Sequence, residues 1–362
     1  MQTTDVLERW RRPASWRRPG RVALVNVAAL DPGEPLHAAL LAAGVDVLPT
    51  RLLDESGHLA ADVAESDVAV SGGQPLGETF FAGLRTTRLL LRPYVGYDDI
   101  DVAAATAHGV LVANVPDAIT DDVANHAMAL ILAANREVVR LDAYVRGGAW
   151  ASTRRRTPEG MVLHRPDAQR LGLVGFGRIA QATALRARPF GYRMVAYDPH
   201  LPDAVFEEHG VARVSLEELL RQSDVVSVHV FLSPETYHLL DGERLALMKR
   251  TAWVVNTARG KVVDEEALAE ALRDGRVGGA ALDVMEGEPL PATSPLVGMA
   301  NVILSPHVAG YSVEGIGRLR ARAAEIALQV ALGGLPQRHA VVNRDLYDTL
   351  AALPELAGVA RS

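Results

Sequence analysis

The chain has 362 residues, 49% hydrophobic and 22% charged, with a net charge of −7 and no cysteine. That length suits two domains, each able to bury a core. The acidic balance argues against a nucleic-acid partner held through phosphates, and the missing cysteine excludes disulfides, thiolate nucleophiles and cysteine metal sites. No apolar run approaches the roughly 20 residues of a membrane span, so a cytoplasmic protein with no membrane partner is expected. Only Lys249 and Lys261 are lysines, which reads as codon bias more than function.

In chain order, Met1–Gly20 is basic and reads as a flexible arm, with Trp10 and Trp16 available to dock on the body. Arg21–Val27 is a strand, because the short apolar segment containing Asn26 is a poor signal-peptide core. Pro35–Ala43 is helical. Val45–Leu48, Val68–Val70, Thr87–Leu91 and Val110–Ala113 are strands, with a turn at Ser71-Gly72-Gly73 and a short helix over Asp101–His108. This alternation implies a parallel sheet. A long helix follows, with Thr120 as its cap and Asp121 and Asp122 in its first turn. Its apolar face runs through Val123, Ala127, Leu130, Ala134, Val138, Leu141 and Val145, and Gly147-Gly148 stops it. Ala149–Gln169, with Arg154-Arg155-Arg156, is either a solvated loop or a subunit-contact arm.

A second alternating series has strands at Gly172–Val174, Arg193–Tyr197, Val225–Val230, Ala252–Asn256, Gly279–Leu282 and Val302–Leu304, with helices such as Leu216–Arg221 and Asp264–Arg273 between them. Six parallel strands with crossovers make a doubly wound dinucleotide fold. The helix Val313–Gly333 is expected to return to the first domain. The expectation is therefore α/β, two doubly wound parallel-sheet domains. A Rossmann cofactor domain at 118–308 is inserted into a flavodoxin-like substrate domain of residues 1–117 and 309–362.

The second series opens on Leu171–Ala180, LGLVGFGRIA, a G-x-G-x-x-G/A fingerprint between strand and helix. Gly175 permits the turn, Gly177 lets backbone approach a pyrophosphate, and Ala180 lets the helix pack closely. Arg178 and Ile179 open the helix, whose N-terminus favours phosphate. A bare strand–turn–helix would show the same glycines. The second strand, however, ends in Asp198, 21 residues after Gly177 (198 − 177), where a ribose-binding carboxylate belongs. It would accept from the ribose hydroxyls and repel a 2′-phosphate, favouring NAD over NADP.

Three further strand ends carry polar groups: Asn256-Thr-Ala-Arg259, Asp283-Val-Met-Glu-Gly-Glu288 and Ser305-Pro-His307. Arg259 can grip a substrate carboxylate bidentately. His307 can pass a proton to an oxygen while hydride reaches the carbon, and Glu288 can hold its imidazolium. Three ordinary loop residues would look the same by spacing alone. His126 and His229 read as packing or hydrogen-bonding residues. No cluster has metal-ligand spacing, so no metal is expected, and there is no G-x-S-x-G elbow.

LGLVGFGRIA…YDP, VVSVHVFLSPET, NTARGKVVDEEAL, AALDVMEGEP and SPHVAGYS strongly resemble the D-isomer-specific 2-hydroxyacid dehydrogenases. RPYVGYDDIDVAAATAHGVLVANVPDAITDDVANHAMALIL matches that family's substrate-domain border, and the likeness runs from about Val68 to Asn343 in order. VPDAITDDVANHAMAL and PHVAGYS look most like the branch of the C-terminal-binding proteins and their bacterial, phosphoglycerate-dehydrogenase-like relatives. The resemblance implies that Arg259, Glu288 and His307 are the catalytic set and that Asp283 lies beside the nicotinamide carboxamide. Val230 to Thr236 would line the adenine side and Thr257 and Ala258 the nicotinamide side, with His307 and Gly310 as further cofactor contacts. Arg92, Tyr94, Val95 and Gly96 would meet substrate. It further implies hinge closure and a homodimer through the cofactor domain, with Ala149–Gln169 where the contact arm lies. A glutamate at 288, where the formate dehydrogenase branch has glutamine, fits proton-coupled reduction of a 2-oxo acid to a D-2-hydroxy acid. Tyr94 stands where the family often has a small residue, and Gly310 where the nearest branch has a large aromatic, which Tyr311 could replace. These departures leave an atypical acid, such as a phosphonate or a biosynthetic intermediate, open. The alternative to an enzyme is an NAD(H)-sensing interaction module of the C-terminal-binding-protein type.

Overall fold

Residues 9–10, 20–25, 34–353 and 356 are described by the structure, a computed structural model. Two units emerge, Met1–Ile119 with Ser312–Ser362, and Thr120–Tyr311.

The first unit is a five-stranded sheet of β1 (Arg21–Val25), β2 (Asp46–Thr50), β3 (Val68–Ser71), β4 (Leu89–Leu91) and β5 (Leu111–Ala113), in the order β2-β1-β3-β4-β5. All four pairings are parallel. This is the flavodoxin-like order. The three central and edge strands β3, β4 and β5 are buried at every residue, as expected where helices cover both faces of a parallel sheet. The helix Val313–Ala331 belongs here. Its Leu319, Ala323, Ala327 and Val330 pack with Val22, Val68, Leu89 and Leu111. A buried ion pair, Arg88 Nη2 to Asp67 Oδ1 at 2.7 Å, ties sheet to helix, since the same nitrogen donates to the Val330 carbonyl at 3.2 Å. Trp10 is 2% exposed, donates from Nε1 to the Gly109 carbonyl at 2.9 Å and lies 5.7 Å beneath the Arg88 guanidinium. The docking expected of Trp10 is thus present, whereas Trp16 and Asn26 lie outside the described residues.

The second unit is a seven-stranded parallel sheet: β6 (Arg170–Val174), β7 (Arg193–Tyr197), β8 (Ala212–Arg213), β9 (Val225–Val228), β10 (Trp253–Asn256), β11 (Gly279–Leu282) and β12 (Val302–Leu304). The order β12-β11-β10-β9-β6-β7-β8 is the doubly wound dinucleotide order, and it reverses between β6 and β9. The sequence reading gave six strands. The seventh, β8, is two exposed residues paired to Val195 and Ala196, too short and polar to leave a periodic signal.

The long helix is corrected more substantially. Thr120–Asn135 and Val138–Arg146 are separate helices, broken at Glu137, a non-glycine residue with φ +47°. The first buries Val123, Ala127, Leu130 and Ala134, but the second buries nothing, and Val138 and Val145 are half-exposed. Apolar spacing continues through the break because one left-handed residue does not disturb a residue count. Ala149–Gln169 contains a short helix, Ala149–Thr153, and a 3₁₀ turn, Pro166–Ala168.

Candidate active site

Parallel register fixes where the chemistry-bearing loops leave the second sheet. Tyr197, Val174 and Val228 are aligned across β7, β6 and β9. Val228, Asn256, Leu282 and Leu304 continue the row across β9, β10, β11 and β12. The fingerprint, Asp198, the Thr257–Arg259 loop, Asp283, Glu288 and His307 therefore follow strand ends on one carboxyl edge. That edge, at the reversal of strand order, is where ligands of such sheets bind.

Gly175 has φ +84°, and a Cβ there would stand 2.8 Å from Val230 Cγ1 and 3.0 Å from the His229 carbonyl carbon, so only glycine makes the turn. Gly177 precedes the helix Arg178–Ala187, and a Cβ on it would meet nothing within 4 Å. The helix start is therefore open to an approaching group. Ala180 is buried, as close packing of the helix requires, while Ile179 is half-buried and Arg178 exposed. Asp198 is aimed at this turn. Its Oδ2 accepts from the Phe176 N–H at 3.0 Å and its Oδ1 from the His200 N–H at 3.0 Å.

The loop after β10 is braced by Asn256, which donates from Nδ2 to the Arg259 carbonyl and accepts at Oδ1 from the Ala258 N–H, both at 2.9 Å. Arg259 also donates to the Ala258 carbonyl at 2.7 Å. Among the described residues Thr257 Oγ1 is buried with no hydrogen-bond partner, a polar atom that a bound amide group would satisfy. Thr236 closes its own loop, accepting from Ser233 N–H at 2.8 Å and donating to the Phe231 carbonyl at 2.6 Å.

Asp283 is fully buried. Burial alone would raise its pKa, but hydrogen bonds from His126, Ser305 and the Val308 and Ala309 N–H groups outweigh it and hold the carboxyl down at about 2. The Ser305 hydroxyl lies at 2.6 Å, the two N–H groups at 3.0 and 2.8 Å, and His126 Nε2 at 3.4 Å from the carboxylate and 3.0 Å from Ser305 Oγ. His126 was expected to be a packing or hydrogen-bonding residue. Its place in the Asp283 network arises from tertiary contact, with no signal in spacing.

His307 adopts φ +54°, with its N–H on the Asp283 carbonyl at 2.8 Å. Its Nδ1 lies 2.6 Å from Glu288 Oε2, and Glu288 Oε1 accepts from the Met285 N–H at 3.1 Å. A carboxylate can only accept, so Nδ1 carries the hydrogen and Nε2 is left for chemistry. Half the imidazole is exposed. Gly310 is half-buried and Tyr311 is 74% exposed, so Tyr311 does not fill the place beside it.

In the first unit, Arg92 is 2% exposed and committed internally. It donates to the Ser71 and Gly72 carbonyls and to Asp99 Oδ1, the last at 2.7 Å. Burial lowers its pKa, against the pull of Asp99. Its visible role is to hold the loop after β4, not to present a cation. The Val95 carbonyl accepts from Asn114 Nδ2 at 2.6 Å, the Tyr94 carbonyl from the Val115 N–H at 3.1 Å, Gly96 is half-buried, and the Tyr94 ring is exposed. Elsewhere, His238, Asp264 and Glu286 come together, with His238 Nε2 2.8 Å from Glu286, a cluster their scattered sequence positions do not announce.

Residues 128–309 match the NAD-binding domain of the D-isomer specific 2-hydroxyacid dehydrogenases. A glyoxylate reductase of Korarchaeum cryptofilum is 43% identical over 272 residues, 75% of this chain and 81% of that one. A D-lactate dehydrogenase structure from Aquifex aeolicus, complexed with NAD and lactic acid, is similar at a TM-score of 0.75 and 26% identity, covering 86% of this chain and 96% of that one. An NADPH-dependent glyoxylate/hydroxypyruvate reductase from Sinorhizobium meliloti, in complex with NADP and malonate, is similar at 0.77 and 25%, covering 90% and 97%. Sequence, fold and the shared carboxyl edge agree, and the chain belongs to the D-isomer specific 2-hydroxyacid dehydrogenase family.

Proposed function

We propose that this protein reduces a 2-oxo acid to a D-2-hydroxy acid with NADH, and runs the reverse with NAD. The observation that carries the reading is the His307–Glu288 pair, 2.6 Å apart with the second imidazole nitrogen open, on the edge that carries the nucleotide fingerprint. When bound, the cofactor supplies or accepts the hydride. Gly175, Gly177, Arg178 and Ile179 would hold its pyrophosphate, Asp198 its ribose, Val230 and Thr236 its adenine side, and Thr257, Ala258, Asp283 and Gly310 its nicotinamide side. The open space at Gly177 and the orphaned Thr257 Oγ1 support that fit. Arg259 grips the substrate carboxylate and polarises its carbonyl. His307 gives its Nε2 proton to the carbonyl oxygen as hydride reaches the carbon, and Glu288 holds the ring in the tautomer and orientation this needs. Tyr94, Val95 and Gly96 would supply further substrate contacts, with Arg92 fixing their loop.

NAD preference rests on Asp198, whose carboxylate is fixed by two backbone N–H groups where a 2′-phosphate would meet its charge. Asp198→Asn is expected to cut the preference for NADH over NADPH at least about tenfold in kcat/KM.

The test is loss of NADH absorbance with a panel of 2-oxo acids, starting with glyoxylate and pyruvate. His307→Ala is expected to lose roughly 10²–10⁴-fold in kcat while still binding NADH. Full activity in that variant overturns the mechanism. A silent panel with tight NADH binding moves the protein to the NAD(H)-sensing alternative.

A further inference from the structure

The loop that carries His307 is wound round one buried carboxylate. Asp283 accepts from the Ser305 hydroxyl at 2.6 Å, the Val308 N–H at 3.0 Å and the Ala309 N–H at 2.8 Å, and its backbone carbonyl accepts the His307 N–H at 2.8 Å. His307 stands at φ +54°, which a non-glycine residue keeps only where its surroundings hold it. Among the described residues, one partner of that carboxylate lies outside the loop. His126, 179 positions before Ser305, reaches across from the Thr120–Asn135 helix. Its Nε2 is 3.0 Å from Ser305 Oγ and 3.4 Å from Asp283 Oδ1. The Ser305 hydroxyl gives its hydrogen to Asp283, and a carboxylate only accepts, so His126 Nε2 carries a hydrogen and donates. The helix is a fixed support, since its Met128 and Ile131 share one core with Leu171, Val255 and Ala281 of the sheet.

We propose that His126 is a positioning residue for the reaction: its imidazole ties the His307 loop to the Thr120–Asn135 helix through Ser305 and Asp283, and so aims His307 Nε2. The inference rests on the proposed role of His307. Asp283 anchors the loop to the end of β11, but an aspartate carboxylate turns readily about its last bond. The loop groups bonded to it would turn with it. A donor fixed on a helix, on the Oδ1 side, stops that rotation. Hydrogen bonds into an ionised group are the stronger kind, so the tie is firm. Proton transfer tolerates little displacement, and a misplacement of about 1 Å costs on the order of 10²-fold in rate. His126 thus acts on the chemistry without touching substrate or cofactor.

The experiment compares wild type with His126→Leu, which keeps bulk without a donor, and His126→Gln, whose amide N–H donates from a similar reach. The first readout needs neither substrate nor cofactor. The His307 ring signals are followed by NMR in histidine-labelled protein and identified by their loss in His307→Ala. They are expected to shift in His126→Leu and to return toward the wild-type position in His126→Gln. The second readout is steady-state reduction of the 2-oxo acid that wild type turns over fastest. In His126→Leu kcat is expected to fall about 10–10²-fold while KM for NADH holds, and His126→Gln is expected to recover most of the loss. If His126→Leu does not fold, Ser305→Ala breaks the same path at its middle and is expected to move the same ring signals. Ring signals that stay in place overturn the proposal, and so does a kcat that holds while only the thermal midpoint drops. Equal losses in the Leu and Gln variants overturn it as well, because the donor would then not be what acts. The proposed function fails separately, through full activity in His307→Ala, wherever the ring signals of the His126 variants lie.

Discussion

At the scale of single residues, His229 and Asp283 set the acid limit of the second unit. Burial of His229 lowers its pKa from 6.5 to about 4, with Nε2 on Ser227 Oγ at 2.9 Å. The unfolded chain takes up that proton at the ordinary value, so stability is present above about pH 6.5 and falls by about 3 kcal/mol as pH drops toward 4. Asp283, depressed from 3.8 to about 2, adds a second loss of about 2 kcal/mol as pH falls below 4. Urea unfolding midpoints followed from about pH 7 to pH 3 are expected to show the upper loss vanish in His229→Gln while the lower one stays. Gln keeps a polar side chain there without titrating in this range. A midpoint in wild type that is flat from pH 7 to 4 would contradict the burial argument. At this scale the sequence was readable where a residue's place in the fold is encoded in its neighbours along the chain. Gly175, Asp198, Glu288 and His307 sit in motifs whose spacing follows from strand ends on one edge. Thr257 and the His126–Asp283 contact were not readable, because partners and lack of partners are decided through space.

At the scale of elements, the first sheet and the helix Val313–Ala331 are joined by a charge pair inside an apolar layer. Arg88 and Asp67 are nearly inaccessible, so removing one partner strands the other. Arg88→Ala is expected to cost about 3–5 kcal/mol in a urea titration, and a well-packed Arg88→Met combined with Asp67→Leu far less. Equal losses would mean that the pair itself, and not its stranding, carries the stability. The alternation of strands with helices followed from apolar runs bounded by turns, and the fingerprint placed the second unit's first strand. The break at Glu137 did not follow, since propensity at that residue is ordinary and only the backbone records it. The exposed β8 escaped for the related reason that two paired residues carry no periodicity.

For the whole molecule, the Val138–Arg146 helix buries nothing of its own chain, while Val138, Val139, Val145, Trp150 and Val162 are each at least half-exposed. Apolar groups grouped along one stretch call for a cover, in keeping with the homodimer through the second unit that the sequence resemblance led us to expect. Sedimentation velocity is expected to give a dimer for wild type and a shift toward monomer in a Val145→Asp, Trp150→Asp double variant, and a monomeric wild type would refute the assignment. The joining of Arg88 to the Val330 carbonyl spans 242 positions, with the entire second unit between them. A chain emerging from the ribosome therefore finishes Thr120–Tyr311 before the helix that closes the first sheet exists. The inserted unit can settle during synthesis, while β1 to β5 wait with one face uncovered until the Val313–Ala331 helix arrives. Chaperone capture during translation should accordingly fall on the first unit, and a nascent chain stalled when Tyr311 has just cleared the ribosomal tunnel should already hold the nucleotide fold in protease-resistant form.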